Sequence, residues 1–106
     1  MSRFGRVVSC LLKIYRVGKP ERDNAFWTPD AEYASYVHES GPMYSGTLEI
    51  DTDVLRVEGQ ATRGLISQAK RAGFNAVIFP SWDWPTDEIV VLKRAAVRGV
   101  RLVEEA

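Results

Sequence analysis

The chain has 106 residues, 45% apolar and 26% charged, and its fourteen basic and fourteen acidic side chains cancel. That composition is of an ordinary globular chain, and residues 1–106 suffice for one domain with one core. Zero net charge gives no footprint for wrapping nucleic acid or lying on an anionic membrane, a local patch aside, and no apolar run approaches the roughly 20 residues of a membrane span.

Arg3 and Arg6 precede Val7-Val8-Ser9-Cys10, an outline of a lipoprotein leader, but too few apolar residues lie before Cys10 to make its apolar region. A lone Cys cannot close an internal disulfide, which fits a reducing cytoplasm, and one Cys with one His (His38) leaves no credible zinc site. Leu11 to Val17 reads as the first strand, with Leu12, Ile14 and Arg16 on one face and Lys13, Tyr15 and Val17 on the other. Gly18 to Ala25 is a polar, turn-forming loop. Phe26-Trp27 then leads into a helix start, with Thr28 as N-cap, Pro29 at the first helical position and Asp30 in the first turn. That helix runs to about His38 and is closed by Gly41-Pro42.

Met43 to Ile50 alternates as a strand, Asp51 to Asp53 turns, and Val54 to Val57 is a short strand. Thr62 to Ala72 has helical periodicity, with Leu65, Ile66, Ala69 and Ala72 on one face and Gly73 just past the end. Phe74 to Phe79 and Ile89 to Leu92 are apolar, β-branched runs, hence central strands. Between them lies an aromatic loop, Ser81-Trp82-Asp83-Trp84-Pro85-Thr86, followed by Asp87-Glu88. Ala95 to Arg98 is a turn or helical stub, Val100 to Val103 a last strand, and the cations of Lys70-Arg71 and Arg94 to Arg101 fall on solvated faces. Strands outnumber helices and do not alternate with them, so the expected class is α+β with a largely antiparallel sheet.

Three polar side chains sit at strand ends or helix starts beside aromatics. Arg16 can hold a phosphate or polar amide, or be an ordinary strand-end cation. Thr28 has a structural role as a cap, compatible with an anion at the same helix start. Glu88, opening a buried strand, is either the last polar residue of a loop or a carboxylate that steadies positive charge in glycosyl transfer, with Asp83 and Asp87 as neighbouring candidates. Two exposed tryptophans in one loop, Trp82 and Trp84, suit a pocket rim or a partner contact. No Gly-rich phosphate loop is present, and neither His38 nor Cys10 has a partner for a nucleophilic triad.

In order, Tyr15-Arg16, Phe26-Trp27-Thr28-Pro29, Ala31-Glu32-Tyr33-Ala34 with Tyr36, Ala69 to Phe79, and Asp87-Glu88-Ile89-Val90-Val91-Leu92 resemble ADP-ribosyltransferase-like domains, in particular the small ones of phage and other mobile elements. The resemblance spans nearly all of the chain after Cys10 and rests on the ordered set, not on one motif. It implies a split β-sandwich with two main helices and NAD in the central cleft. It also implies Arg16 on NAD's phosphate or nicotinamide-ribose side, Thr28 at the floor of the nicotinamide pocket, and Trp27, Tyr33 and Tyr36 as stacking candidates. Glu88 would hold the ribose 2′-hydroxyl and stabilise the oxocarbenium-like transition state. The expected activity is NAD-dependent transfer of ADP-ribose to a host protein in the host cytoplasm. Arginine-modifying members carry an acid two residues before the catalytic Glu. Thr86 stands there, which disfavours arginine and leaves Asp, Asn, Ser, nucleic acid or water as acceptors. Two alternatives share the fold: an NAD glycohydrolase, and a non-catalytic inhibitor that grips a partner through Trp82 and Trp84.

Overall fold

The computed structural model describes residues 10–37 and 41–104. In chain order the elements are β1 (Cys10–Val17), β2 (Ala25–Trp27), α1 (Ala31–Val37), β3 (Met43–Ile50), β4 (Val54–Arg56), α2 (Arg63–Ala72), β5 (Ala76–Pro80), β6 (Asp87–Val91) and β7 (Val97–Glu104), with a 3-10 turn at Arg94–Ala96 before β7. They form an α+β fold of two sheets, ordered β1-β3-β7 and β2-β6-β5-β4. Every pairing is antiparallel except β4 with β5, and α2 supplies the crossover which that parallel pair needs. No helix among the described residues is long and apolar enough to cross a membrane.

Alternation along the strands builds the core. Ile14, Leu48 and Val97 from the first sheet meet Trp27, Ile78, Ile89 and Val91 from the second, and all are fully or nearly fully buried. The opposite face of the second sheet carries Val77, Phe79 and Leu92, covered by Ala69 and Ile66 of α2. On the first sheet, Val17 and Met43 pack against Ala34 of α1. Thus α1 covers one end of the outer face of the three-stranded sheet, and α2 covers the outer face of the four-stranded one.

Ala25 to Trp27, expected as a loop end and helix lead-in, forms β2 because it pairs antiparallel with β6, Phe26 opposite Val90 and Trp27 opposite Ile89. The helix start shifts accordingly. Both backbone groups of Thr28 bond to Tyr15, N–H to carbonyl at 3.0 Å and carbonyl from N–H at 2.7 Å, so Thr28 stays extended and does not cap the helix. Asp30 is the cap instead, its Oδ1 accepting from the backbone N–H groups of Glu32 (2.9 Å) and Tyr33 (3.2 Å). Pro29 consequently precedes the cap, and His38 lies outside the described residues.

α2 follows the sequence signals. Thr62 Oγ1 accepts from Leu65 N–H at 3.1 Å, and Gly73 turns left-handed at φ 91°. Ala72, expected on its buried face, is exposed, because the chain turns at Gly73 and Phe74 packs under the helix in its place. β5 begins at Ala76 and not at Phe74. Asn75 is used as a junction, its N–H donating to Asp53 and its carbonyl accepting from Leu92 and Lys93.

β3 and β7 approach closely at Gly46, and β7 carries one extra residue opposite Ser45–Thr47, next to Gly99 at φ 62°. A Cβ on Gly46 would stand 2.4 Å from Val97 Cγ1 and 3.2 Å from Val100 Cγ2, and Val97 is itself locked in the core. Gly46→Ala is therefore expected to cost about 1–3 kcal/mol by overpacking, read as a lower urea midpoint with an unchanged slope. Adding Val97→Ala to it should cost less than the sum of the two single changes, because the smaller side chain makes room for the methyl.

Candidate functional site

The expected site residues come from β1, the β2–α1 junction and β6. Arg16, at the end of β1, is only 8% exposed. Its Nε donates to the Lys19 carbonyl at 2.7 Å and its Nη1 to the Phe26 carbonyl at 3.0 Å, so the guanidinium ties the 18–24 loop to β2. Burial, helped by nearby Arg22 and opposed by Glu21, lowers its proton affinity, yet a guanidinium remains charged at any physiological pH.

Thr28 is fully buried. Its Oγ1 donates to the Asp87 carbonyl at 2.9 Å and accepts from Asp30 N–H at 3.3 Å. The hydroxyl therefore spans from β2 to the start of β6, one residue before Glu88. Trp27 is also fully buried, between the sheets, with its indole Nε1 lacking a hydrogen-bond partner among the described residues. No face of that ring is open for a ligand to stack on.

Glu88 sits on β6 opposite Phe79, on the face turned away from the Ile89 and Val91 core. It is half-buried, and Tyr33 from α1 donates its phenolic hydrogen to Glu88 Oε2 at 2.8 Å. Ser81 Oγ lies 3.0 Å from the Tyr33 oxygen and 3.3 Å from Asp83 Oδ1. A hydroxyl has one proton to give, and the shorter contact favours the direction Ser81 to Tyr33 to Glu88. The helix thus reaches over the sheet to fix one carboxylate oxygen.

Aromatic rings gather around that hydrogen bond. The Tyr33 ring meets Phe26 edge-on with centroids 6.0 Å apart and stacks with Tyr36 at 6.2 Å. Trp84 lies 5.5 Å from Tyr33 and 5.0 Å from Tyr36, nearly parallel to the latter. Trp84 Nε1 donates to Asp30 Oδ2 at 3.2 Å, so the residue that caps α1 with one oxygen anchors the aromatic loop with the other. Trp82 is different: at 82% exposed it stands in solvent.

Two open grooves flank Trp84. One, of about 520 Å³, runs between α1 and the end of the first sheet and includes Tyr36, Met43 and Val103. The other, of about 460 Å³, lies under the loop and includes Pro29, Ser81, Pro85 and Asp87. Neither is lined by Arg16, Thr28 or Glu88. The backbone brings Thr28 and Glu88 to neighbouring positions and Tyr33 joins Glu88, whereas Arg16 turns its Nε and Nη1 to backbone carbonyls. Asp87 faces Arg56 at 3.5 Å, an exposed pair of little energetic weight. Among the described residues no group of three His, Cys, Asp or Glu is placed to hold a metal ion.

Several working residues escaped the sequence reading. Ser81 gave no signal beyond being a loop serine. Asp30 was visible as an acid at a helix start, but its second bond, to Trp84, spans 54 residues. Arg94, expected on a solvated face, is half-buried: its backbone N–H donates to Asp23 Oδ1 at 2.7 Å and its side chain to the carbonyls of Pro20 and Val97. It pins the 18–24 loop against the β6–β7 turn. Compared with known protein families, curated proteins and solved structures, the chain gives no match.

Two expectations follow from these bonds. Thr28→Val keeps the volume but leaves the Asp87 carbonyl and Asp30 N–H without their partner, which should cost about 1–3 kcal/mol in denaturant unfolding. Burial, with the negative charges of Glu88 and Asp83, raises the Tyr33 pKa above its ordinary value of 10.0, opposed only by the Ser81 bond. A raised folded-state pKa means that stability is full below pH 10 and is lost as pH climbs from there through the folded value. Unfolding measured between pH 8 and 12 should therefore show an alkaline loss that is smaller in Tyr33→Phe than in the native chain.

Proposed function

We propose that the chain is a small ADP-ribosyltransferase-like protein of the phage or mobile-element kind, with NAD as its substrate and a host protein as acceptor. The observation that carries this reading is the oriented carboxylate. Tyr33, itself buried, holds Glu88 Oε2 and leaves the second oxygen for a ribose 2′-hydroxyl, beside the more open Tyr36 and Trp84 rings on which a flat nicotinamide can stack. In the reaction the bond from ribose C1′ to the nicotinamide nitrogen breaks and its electron pair leaves with neutral nicotinamide. The ribosyl carbon passes through an oxocarbenium-like state that the Glu88 charge stabilises. An acceptor nucleophile then bonds to C1′ and gives up its proton. Because the leaving group departs neutral, the enzyme's task is to orient the ribose and steady transient positive charge.

A second reading is supported by particular bonds. Arg16 donates to two backbone carbonyls and Thr28 spends its hydroxyl within the fold, so both have structural work that needs no NAD. Meanwhile Trp82 projects from its loop. On this reading the same fold is a non-catalytic module that binds a partner through Trp82 and Trp84.

One experiment separates them. Labelled NAD is incubated with the protein and a host lysate, followed by mass spectrometry for added ADP-ribose and assay of free nicotinamide. The transferase reading expects an acceptor carrying ADP-ribose and a fall of about a hundredfold or more in Glu88→Gln. Normal transfer by that variant would remove Glu88 from the chemistry, and nicotinamide release without an acceptor would identify a glycohydrolase. With no NAD turnover, and partner binding that survives Glu88→Gln but not Trp82→Ala, the binding module stands. Trp82 is so exposed that its replacement should change stability by less than about 0.5 kcal/mol.

A further inference from the structure

We propose that the outer edge of β7, from Arg98 to Val103, is a strand-addition site for an extended, acidic segment of a partner protein. β7 is the last strand of the three-stranded sheet, eight residues long, and among the described residues only β3 pairs with it. Its far side offers backbone donors and acceptors that an antiparallel strand would satisfy, in keeping with the rest of that sheet.

The register shows which side chains such a strand would meet. On the outer face of the sheet, Thr47 of β3 stands opposite Arg98 and Ser45 opposite Arg101. Both arginines are exposed, and neither forms an ion pair among the described residues. Next along the same face is Met43, which with Val103, Tyr36 and Trp84 lines the 520 Å³ groove beside α1. Val103 is 49% exposed and Tyr36 58%. An added strand running antiparallel to β7 and following its two irregularities, at Gly99 and opposite Met43–Tyr44, would therefore present three side chains to this face in order: an apolar one over the groove, then an acid against Arg101, then an acid against Arg98. Glu32, on the α1 wall, disfavours an acid in the groove itself and so fixes that order.

Charge also decides against a second copy as the occupant. A symmetric β7–β7 seam would bring the arginines of two chains to one junction, and like charges facing across strands are destabilising. The alternative is that the arginines and the irregularity at Gly99 merely protect an edge from aggregation. That alternative expects no strand to bind.

The test uses the full chain and a labelled peptide, Thr-Leu-Thr-Glu-Thr-Glu-Thr, with Lys in place of both Glu as the control. Fluorescence anisotropy should show the acidic peptide binding at least tenfold tighter than the basic one, with amide shifts confined to β7 and the groove. Arg98→Glu with Arg101→Glu should reverse that preference, and Val103→Asp should abolish binding of the acidic peptide. Sedimentation should find the free protein monomeric. No binding of the acidic peptide, a preference unchanged by the double reversal, shifts elsewhere in the molecule, or a dimer joined through β7 would each overturn the proposal.

Discussion

One buried residue, Thr28, holds the two sheets and the first helix in register. Thr28 bonds through its backbone to Tyr15 of β1, through Oγ1 to the Asp87 carbonyl of β6, and receives the N–H of Asp30 where α1 begins. β1 belongs to one sheet and β6 to the other, so this side chain stands where the sheets meet. Zero exposure makes its bonds count, since an unpaired polar group there has no water to turn to. With Thr28 held, Asp30 is fixed, and from Asp30 both α1 and the Trp84 loop take their positions.

The consequence for Glu88 is orientation from outside its own sheet. The carboxylate is carried by β6, but the group that aligns it, Tyr33, comes from α1 one turn after the Asp30 cap. A helix of only seven residues is weak by itself, and this one is secured at its start by Asp30 and along its body by Ala34 against Val17 and Met43. The same anchoring brings Tyr36 and Trp84 into contact. Under the proposed reading, an acid with one oxygen fixed next to a stack of rings serves NAD chemistry better than a bare loop acid would. The committed hydrogen bonds of Arg16 point the other way only in part, because Nε and Nη1 are engaged while Nη2 is not among those bonds.

Much of the fold is legible in the chain because its signals are local. Alternation over Leu11 to Val17 and Met43 to Ile50, the helical period from Thr62 to Ala72 and the Gly73 stop each depend on neighbours a few residues away, and these elements lie close to where they are expected. The errors arise where a distant partner overrides a local preference. Thr28-Pro29-Asp30 reads as a helix start from Thr28, but Tyr15 captures the Thr28 backbone and moves the cap to Asp30. Ala25-Phe26-Trp27 is too short to show a period and becomes a strand only because β6 pairs with it. The aromatic expectation divides for the same reason. Tyr36 stays exposed on α1, whereas Tyr33 is buried among rings and Trp27 is claimed by the inter-sheet core, which their sequence neighbours do not reveal.

The chain's zero net charge conceals an uneven distribution with a physical meaning. Asp30, Glu32, Asp83 and Glu88 cluster around the aromatic loop, while Lys13, Arg98 and Arg101 share the outer face of the three-stranded sheet. Tyr36 and Trp84 stand near the boundary, since the groove they line also takes in Met43 and Val103 of that sheet. A ligand on the Glu88 side must tolerate negative potential, which suits a cation developing on ribose more than a bare phosphate. NAD's diphosphate would need a positive counterpart, and the one cation of the expected set, Arg16, is 8% exposed with Nε and Nη1 on backbone carbonyls. The balance between an enzyme and a binding module therefore turns on whether Arg16 can serve both its carbonyl partners and a phosphate, which a guanidinium with five donors is chemically equipped to do.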